Sequence, residues 1–322
     1  MKILIIGGTG NIGRNIISNI NLKEHEVFSI SQKKKIKDKK IKSYRFDYYK
    51  NFAKIKKITT KYKFDVVINL ICFNSNQAKR DYNLYKNSIS KYIFNSSTSV
   101  YKNIQNVILE NSKTETTENT YIKGKIEAEK FLKNNTKNFP FIILRICQIY
   151  GEDNIPTLFK KRSFTVLNDM YTNKRVFLPY GVNNRWKLIH VNDLAKIIIK
   201  IFTSSNKNIL NNIFNIVPDK TYSWSKIYNM YSIINKKKFN KIFFDVKILK
   251  NSKKEIYEHL ILDKLKNGNF SNTKIFKIIK KPKFYNFEKK IKSIIKIKKK
   301  EIIKTIPDKD IKKIFQKLTS LK

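Results

Sequence analysis

The chain has 322 residues, of which 41% are hydrophobic, and it carries a formal net charge of +45 at neutral pH. This length allows one large domain or two smaller ones with a substantial core, and no apolar run reaches the roughly 18 residues of a membrane span, so we expect no membrane segment. With only two cysteines, the chain is not expected to have a disulfide framework, and its three dispersed histidines show no metal-ligand spacing. The absence of a signal-peptide pattern before the first strand favours a cytoplasmic protein.

The charge itself has two interpretations. It arises from 69 lysines and arginines against 24 acidic residues, an excess that is typical of nucleic-acid-binding proteins. Only seven of the 69 are arginines, although arginine is the usual reader of phosphates and bases. The accompanying wealth of Ile, Asn, Phe and Tyr is what an AT-biased genome produces without selection. We therefore favour compositional bias over a selected nucleic-acid surface, and in both cases the field should draw anionic ligands inward.

The chain opens with the pattern of a strand, a glycine turn and a helix. Residues 3–6 form a short apolar run, residues 7–13 read GGTGNIG, and the isoleucines that follow fit one helix face. This geometry places a pyrophosphate on a helix N-terminus, where free N–H groups and the helix dipole favour negative charge. Gly7 allows the tight turn, Gly10 lets the backbone approach the phosphates, and Gly13 lets the helix pack close to the strand. The stretch predicts a dinucleotide site.

The end of the second strand, residues 26–30, bears on which dinucleotide binds. An Asp or Glu there usually holds the adenosine ribose of NAD, whereas this chain continues Ser31-Gln32-Lys33. A hydroxyl, an amide and lysines suit a 2′-phosphate better. The residues therefore lean toward NADP and leave NAD open.

Strand and helix patterns then alternate along the chain. Further strands are expected at 43–47, 64–71, 91–96, 141–145, 186–191 and 213–217. Helices are expected at 50–61, 76–90, 121–132, 193–202, 223–234 (opened by Ser223 or Ser225), 287–298 and 308–321 (opened by Asp308 or Asp310). The alternation predicts an α/β protein with a Rossmann-type, doubly wound parallel sheet and a smaller C-terminal α/β substrate lobe. We assign residues 1–165 to the Rossmann domain, with 186–205 returning to it, and residues 166–185 and 206–322 to the substrate lobe and a lysine-rich helical C-terminus.

The chemistry-bearing residues follow the strand at 91–96, which ends in Ser96-Ser97-Thr98-Ser99. About twenty residues later, Tyr121 and Lys125 stand four positions apart and so share a helix face. An ammonium beside a phenol stabilises the phenolate and lowers a pKa that is about 10 in water, which suits Tyr121 to proton transfer near neutral pH. A hydroxyl such as that of Ser97, placed opposite, would hold the substrate oxygen. The catalytic set predicted is Ser97, Tyr121 and Lys125.

In these motifs the chain resembles the extended short-chain dehydrogenase/reductases, the NAD(P)-dependent epimerase/dehydratase group. GGTGNIG is similar to the family's cofactor loop, SSTSVY to its serine-bearing strand end and YIKGK to its Tyr-x-x-x-Lys pair, while LRICQIYG and RWKLIHVNDLA match two later segments. The chain most resembles the atypical branch that includes bacterial epimerase/dehydratase proteins and chloroplast stem-loop RNA-binding proteins. That closer likeness rests on the stretch from Arg162 to Pro179 and on Asp263 with residues 270–274.

The resemblance implies a role for each matched residue. The pyrophosphate would lie on the glycines, Asp47 would meet the adenine, and Lys125 would hold the nicotinamide ribose while lowering the pKa of Tyr121. Tyr121 would be the acid/base and Ser97 would bind the reacting oxygen, with Ser96 as the alternative if the register slips. Arg185 is either a ligand of the substrate diphosphate or a plain surface arginine. The cofactor-binding set is Gly7, Gly10, Asn11, Ile12, Gly13, Ser31, Lys33, Asp47, Asn69, Tyr121 and Lys125.

The leading hypothesis is an NAD(P)-dependent epimerase or reductase that acts on a nucleotide-sugar-like substrate. Family dehydratases carry an Asp-Glu pair directly after the catalytic hydroxyl residue, whereas Thr98 and Ser99 stand there, so a 4,6-dehydratase is disfavoured. The alternative is an RNA-binding member of the same family that uses its basic surface with little or no catalysis, and a cofactor-binding regulator is a third reading. The expected partners are the small-molecule substrate, RNA under the alternative, and a second copy of the chain in a homodimer.

Overall fold

The computed structural model describes residues 1–103, 106–159, 163–181, 183–306 and 309–320. Its strands are β1 (Lys2–Ile6), β2 (Glu26–Ser31), β3 (Lys42–Arg45), β4 (Val66–Asn69), β5 (Lys91–Ser97), β6 (Phe141–Ile146), β7 (Gln148–Tyr150), β8 (Arg175–Pro179), β9 (Arg185–Trp186), β10 (Leu188–His190), β11 (Asn212–Ile216), β12 (Tyr222–Ser223) and β13 (Asn240–Phe244). Its α-helices are α1 (Asn11–Asn19), α2 (Phe52–Tyr62), α3 (Ser75–Tyr85), α4 (Thr120–Asn134), α5 (Ser163–Asn173), α6 (Val191–Thr203), α7 (Trp224–Asn235), α8 (Lys254–His259), α9 (Thr273–Phe276), α10 (Phe287–Ile303) and α11 (Lys309–Ser320).

Seven strands form one sheet in the order β11-β6-β5-β4-β1-β2-β3. Each neighbouring pair runs parallel, from β1 with β2 and β4 out to β11 with β6. The order reverses direction on either side of β1, which is the doubly wound arrangement. This architecture confirms the fold class that the alternating pattern predicts.

The sheet is buried on both faces because its strands carry apolar side chains on both sides. Ile3 and Ile5 of β1 pack with α1 and α6 in one hydrophobic cluster. Leu4 and Ile6, which point the other way, pack with α2, α3 and α4 in a second cluster. The continuous apolar run at residues 3–6 therefore reflects two helix layers rather than one.

Two strand expectations differ from the structure. The run at 186–191 does not join the central sheet: it divides into β9, which pairs with β12, and β10, which pairs with β7. The break falls at Lys187, whose ammonium turns inward to the carbonyls of Pro218 and Asp219. Conversely, β11 lies within the 206–322 segment that we assigned to the substrate lobe, yet it is the edge strand of the Rossmann sheet beside β6. The wider two-lobe division stays a prediction.

The C-terminal part has its own hydrophobic core. It is built from α5, α7, α10, α11 and the parallel β8–β13 pair, around residues such as Trp224, Tyr231 and Phe315. The Ser223 hydroxyl accepts a hydrogen bond from the Lys226 amide and so opens α7, as one of the two expected serines. Arg162, Asp308 and the side chain of Asp310 lie outside the described residues. Within the described chain, none of the helices has the length and apolar character that crossing a membrane demands.

Candidate active site

The glycine turn leaves the first turn of α1 open to a ligand. Gly7 has φ +90°, and a methyl group on Gly13 would lie 2.5 Å from the Gly8 Cα and 2.6 Å from the Gly7 carbonyl oxygen. Both positions therefore require glycine. A methyl group on Gly10 would meet only the Gly7 oxygen, at 3.2 Å, and Gly10 caps α1 without a side-chain hydrogen bond or an acid in the first turn. An uncapped helix start beside open space fits the pyrophosphate of a dinucleotide.

The residues predicted for the adenosine end lie together but are partly engaged with one another. Ser31 is buried, and its hydroxyl accepts a 3.1 Å hydrogen bond from the Thr9 amide in the glycine turn. Gln32 Nε2 donates to Asp47 Oδ2 at 3.2 Å, while Asp47 Oδ1 accepts from the Tyr49 amide at 3.0 Å. The Ser31 hydroxyl thus stabilises the glycine turn through this hydrogen bond. Gln32 and Asp47 form a polar pair at the ends of β2 and β3, where an adenosine would lie.

Asn69 uses its side chain within the protein, and its contact with a cofactor stays a prediction. It is fully buried at the end of β4. Its Nδ2 donates to the Tyr49 hydroxyl at 2.8 Å and to Asp81 Oδ2 at 2.6 Å, and its Oδ1 accepts from the Ile71 amide at 2.9 Å. Both amide hydrogens are engaged within the protein, and the side chain holds the chain after β4.

The two serines at the end of β5 face opposite sides of the sheet. Ser97 faces the cleft described below, whereas the Ser96 hydroxyl donates to Glu129 Oε1 at 2.5 Å in the protein interior. The Ser97 and Ser99 hydroxyls lie 2.8 Å apart, and the Ser97 oxygen also accepts from the Ser99 amide. Alternation along a strand sends adjacent side chains to opposite faces, so only one of the two serines can meet a substrate.

A buried ion pair supports this strand end from behind. Arg145 of β6 and Glu129 of α4 have side chains only 4% exposed, and Arg145 Nη2 lies 2.5 Å from Glu129 Oε2. Arg145 also donates to the Glu110 carbonyl, and its guanidinium lies 4.5 Å from the ring centre of Tyr101. Because Glu129 holds Ser96 as well, the pair links β5, β6 and α4 at one point.

Helix α4 carries Tyr121 and Lys125 and begins at a defined cap. The Asn119 Oδ1 accepts from the Ile122 amide at 3.2 Å. The glycine between the two functional residues allows a close approach, because a methyl group on Gly124 would lie 2.3 Å from the Phe73 carbonyl oxygen. This contact brings Lys125 under the end of β4, where its ammonium donates to the carbonyls of Cys72 (2.6 Å) and Asn95 (2.5 Å). Gly124 was not predicted to be functional, although its position inside the YIKGK motif could have indicated a role.

The electrostatics of Tyr121 differ from the expectation. Although the residue is 44% exposed, desolvation of its phenol raises the pKa above 10, the neighbouring Ser97 lowers it and Asp263 raises it. The Lys125 ammonium donates to two carbonyls and lies 5.8 Å from the centre of the Tyr121 ring. Burial lowers the pKa of Lys125 itself to about 8. The structure therefore brings Ser97 and Tyr121 together but does not give Tyr121 a depressed pKa.

Ser97 and Tyr121 share a cleft of about 440 Å³ at the carboxyl edge of the sheet. One wall is the start of α4 with Ser97 and Ser99, and the other is α8 with the π-helical turn Leu260–Lys264 that follows it. Turns of π-helix occur often at functional sites. Apart from Asp263, which is part of the family resemblance, the residues of this second wall were not predicted from the sequence. Its signal was the spacing of Glu255, Glu258, His259, Leu262 and Asp263, which fits one helix face.

Arg185 lies apart from this cleft. It is an exposed residue of β9, pairs with Ser223 of β12 and is not among the lining residues, and its backbone oxygen accepts from the Gly268 amide at 2.7 Å. Lys33 is likewise exposed, beyond the end of β2. A contact of either side chain with a ligand stays a prediction.

The comparisons with known proteins agree with this geometry. The model of the NAD dependent epimerase/dehydratase family matches residues 3–216. UDP-glucuronic acid 4-epimerase from Bacillus cereus, solved with UDP-glucuronic acid and NAD, is 16% identical over 92% of this chain and 99% of its own, with a TM-score of 0.73. UDP-N-acetylglucosamine 4-epimerase from Methanobrevibacter ruminantium M1, solved with UDP-N-acetylmuramic acid, is 17% identical over 93% and 98% of the two chains, with a TM-score of 0.71.

An epimerase from Methanothermobacter thermautotrophicus is also similar in structure, at 11% identity over 94% of each chain and a TM-score of 0.72. No curated protein matches the sequence closely enough to count as a relative. The identities to the solved structures are low, so these likenesses speak for the fold, and the family match covers about two thirds of the chain. The chain belongs to the NAD dependent epimerase/dehydratase family.

Proposed function

We propose that the protein is an NAD-dependent epimerase of nucleotide-linked sugars, with Ser97, Tyr121 and Lys125 at its reacting centre. The observation that carries the proposal is that Ser97 and Tyr121 come from different elements yet meet in one cleft. The glycine turn at the end of β1 lies on the same edge of the parallel sheet as Ser97 at the end of β5. A cofactor held at one and a substrate at the other would thus lie side by side.

The proposed mechanism assigns proton handling to the chain. When bound, the nicotinamide supplies reversible hydride exchange with the sugar carbon. Tyr121, once ionised to the phenolate, would take the proton of the sugar hydroxyl as that carbon is oxidised and would return it after the ketone has turned in the cleft. Ser97 would donate a hydrogen bond to the same oxygen and hold it within reach of the phenol. Ser99, which is bonded to Ser97, would fix the orientation of that hydroxyl.

Lys125 would act by position rather than by lowering the pKa of Tyr121 in the free protein. The carbonyls of Cys72 and Asn95 use two of its three N–H donors. The third would serve a ribose hydroxyl of the cofactor. Gly7, Gly10, Asn11, Ile12 and Gly13 would bind the pyrophosphate through backbone N–H groups.

The family match favours NAD as the cofactor. The preference for NADP that the residues after β2 indicate stays a prediction. The Gln32–Asp47 pair lies where the adenosine would bind, and Lys33 is the nearby cation. Mass spectrometry of the cofactor released from purified protein distinguishes the two. Tightly held NAD supports an epimerase that regenerates its cofactor in each turnover, and NADPH would support a reductase instead.

Dehydration of the substrate has less support than epimerisation, because no acidic residue directly follows Ser97. Thr98 lies with its hydroxyl 3.4 Å from the Ile146 carbonyl, and Ser99 is bonded to Ser97. Neither side chain transfers protons as a carboxylate does. The product separates the reactions, since epimerisation conserves mass and 4,6-dehydration removes one water.

The test is Tyr121→Phe against Tyr180→Phe. Tyr180 is 65% exposed and lies outside the cleft, so its substitution controls for the loss of a phenol. We expect Tyr121→Phe to lose about 10²-fold or more in turnover of UDP-sugars, as the removal of a proton-transfer group typically does. The Tyr180→Phe variant should match the unaltered protein. Equal turnover by all three proteins would refute the role of Tyr121.

RNA binding is the second candidate, and one surface feature favours it. The rings of Tyr180 and Phe243 stack with centres 6.1 Å apart and are 65% and 45% exposed, and the exposed Lys241 lies two residues before Phe243 in β13. Exposed aromatics among lysines are the composition that stacks bases and neutralises phosphates. The candidate requires RNA affinity at about 50 mM salt that falls steeply as salt rises. No binding at that salt concentration would remove it.

A further inference from the structure

A buried carboxylate lies beside the end of β4. Asp81 of α3 is fully buried, and its two oxygens accept hydrogen bonds from four side chains. Its Oδ2 accepts from Tyr92 Oη and from Asn69 Nδ2, both at 2.6 Å. Tyr49 Oη donates to the same oxygen at 3.3 Å, and Tyr48 Oη donates to Oδ1 at 2.7 Å. Each of these donors is neutral, and burial raises the pKa of the carboxyl to about 6, so the group is mostly ionised at pH 7.

On one side, this cluster holds the segment that follows β3. Tyr48 and Tyr49 come directly after Asp47, the residue expected to meet the adenine, and the Asp47 carboxylate accepts from the Tyr49 amide at 3.0 Å. Arg80, which precedes Asp81 on α3, donates to the backbone carbonyls of both tyrosines. Two adjacent residues of one helix therefore bind the side chains and the backbone of this segment.

On the other side, the cluster holds the segment that anchors Lys125. Asn69 donates to Asp81 through Nδ2, and its Oδ1 accepts from the Ile71 amide at 2.9 Å. The next residue, Cys72, provides a carbonyl that binds the Lys125 ammonium at 2.6 Å. The path from the carboxylate to this ammonium thus consists of one side chain and the short stretch of backbone that follows it.

The two sides of the cluster also bind each other. Asn69 Nδ2 donates to Tyr49 Oη at 2.8 Å as well as to Asp81, so the three side chains form a closed triangle of hydrogen bonds. A buried network whose donors and acceptors are satisfied fixes one arrangement of the elements that it joins. The carboxylate therefore sets the segment after β3 and the segment after β4 relative to each other.

We infer, resting on the proposed function, that Asp81 is a positioning residue for the cofactor. By holding Tyr49 and Asn69 together, it places the Cys72 carbonyl so that Lys125 can hold the nicotinamide ribose. Asp81 is fully buried, so it acts through these neighbours and not by touching the cofactor. Its loss should therefore weaken the binding of the nicotinamide riboside beyond any effect on the adenosine half.

The experiment measures the Kd of NAD and of ADP at pH 7 by calorimetry. ADP lacks the nicotinamide riboside, so the ratio of the ADP Kd to the NAD Kd isolates the affinity that Lys125 supports, and a change confined to the adenosine segment cancels. We expect Asp81→Leu to lower this ratio about tenfold and Asp81→Asn, which keeps the shape and one acceptor oxygen, about threefold. In a Lys125→Met background neither variant should lower the ratio further, because both residues act through one contact.

Tyr85→Phe is the matched control. Tyr85 is buried, and its hydroxyl lies 3.1 Å from that of Tyr48 and is not bonded to Tyr49 or Asn69. Its loss should lower the free energy of unfolding but leave the ratio unaltered, which separates positioning from a purely structural role.

The outcomes distinguish this inference from the proposed function. If Asp81→Leu does not fold, Asp81→Asn carries the same comparison in both backgrounds. A ratio that Asp81→Asn leaves unchanged, that falls equally in Tyr85→Phe, or that responds to Asp81→Asn in full in the Lys125→Met background would overturn the inference alone. A ratio that Lys125→Met leaves unchanged would overturn the role of Lys125, and protein that binds neither NAD nor ADP would overturn the proposed function.

Discussion

Replacement of Glu129 by glutamine tests whether the buried ion pair supports the reacting centre. The substitution keeps the shape of the side chain and removes its charge, so Arg145 is left in the interior with the Glu110 carbonyl and the Tyr101 ring as partners. Both members of the pair are 4% exposed. Removing one partner of such a pair costs about 3–5 kcal/mol, because the remaining charge is buried without compensation.

An exposed pair in the same region gives the control. Glu118 and Lys123 lie 2.8 Å apart, with side chains 91% and 47% exposed. Pairs of this kind contribute about 0–1 kcal/mol. Glu118→Gln should therefore leave the free energy of unfolding nearly unchanged, although it removes the same charge at the same helix.

Urea denaturation followed by circular dichroism measures both variants. Adding Arg145→Met to Glu129→Gln should restore much of the lost free energy, since an apolar side chain needs no counter-charge. If Glu129→Gln costs less than about 1 kcal/mol, or no more than Glu118→Gln, the pair is not the support described above.

Three further outcomes follow from the structure. Gly13→Ala should abolish NAD binding and lower the thermal midpoint, because the added methyl group would lie 2.5 Å from the Gly8 Cα. Gly10→Ala should mainly weaken NAD binding. Calorimetry measures the binding and thermal melts measure the stability, and an equal loss of stability in the two variants would contradict the packing assigned to Gly13. Burial raises the pKa of Asp81 from 3.8 to about 6, so the unfolded chain releases this proton first and the free energy of unfolding should fall by about 2 kcal/mol between pH 4 and 6. Asp81→Asn should lack this fall, and parallel pH curves would contradict it. Burial lowers the pKa of Lys125 to about 8, so kcat/KM should decline above that pH as the ammonium is lost, and a pH–rate profile flat to pH 10 would contradict it.

The strands and the glycine turn of the Rossmann domain could be predicted from the sequence because the patterns that indicate them are local. Strands such as β1 and β6 are short Ile- and Leu-rich runs between turns, and the glycine turn needs its residues for steric reasons that hold in any context. The pairing of Ser97 with Tyr121 also followed from motif order.

The remaining differences depend on long-range contacts. Whether residues 212–216 join β6 or a separate lobe is decided by which edge is free, and the strand residues themselves carry no such information. The direction of the Tyr121 pKa in the free protein depends on desolvation and on Asp263, which is distant in sequence, and the spacing of Tyr121 and Lys125 carries no information on either. The second wall of the cleft was not predicted because the residues of α8 line the site only once that helix is placed opposite α4.

The position of β11 constrains how the gene could be shortened. The strand follows α6 in sequence and covers the outer edge of β6 with backbone hydrogen bonds from residue 212 to residue 216. A fragment that stops at residue 205 would keep the glycine turn and Tyr121 but leave β6 as an apolar, unprotected edge. Such an edge recruits strands from other molecules. The smallest stable cofactor-binding unit therefore extends at least to residue 217, and shorter fragments should aggregate when expressed.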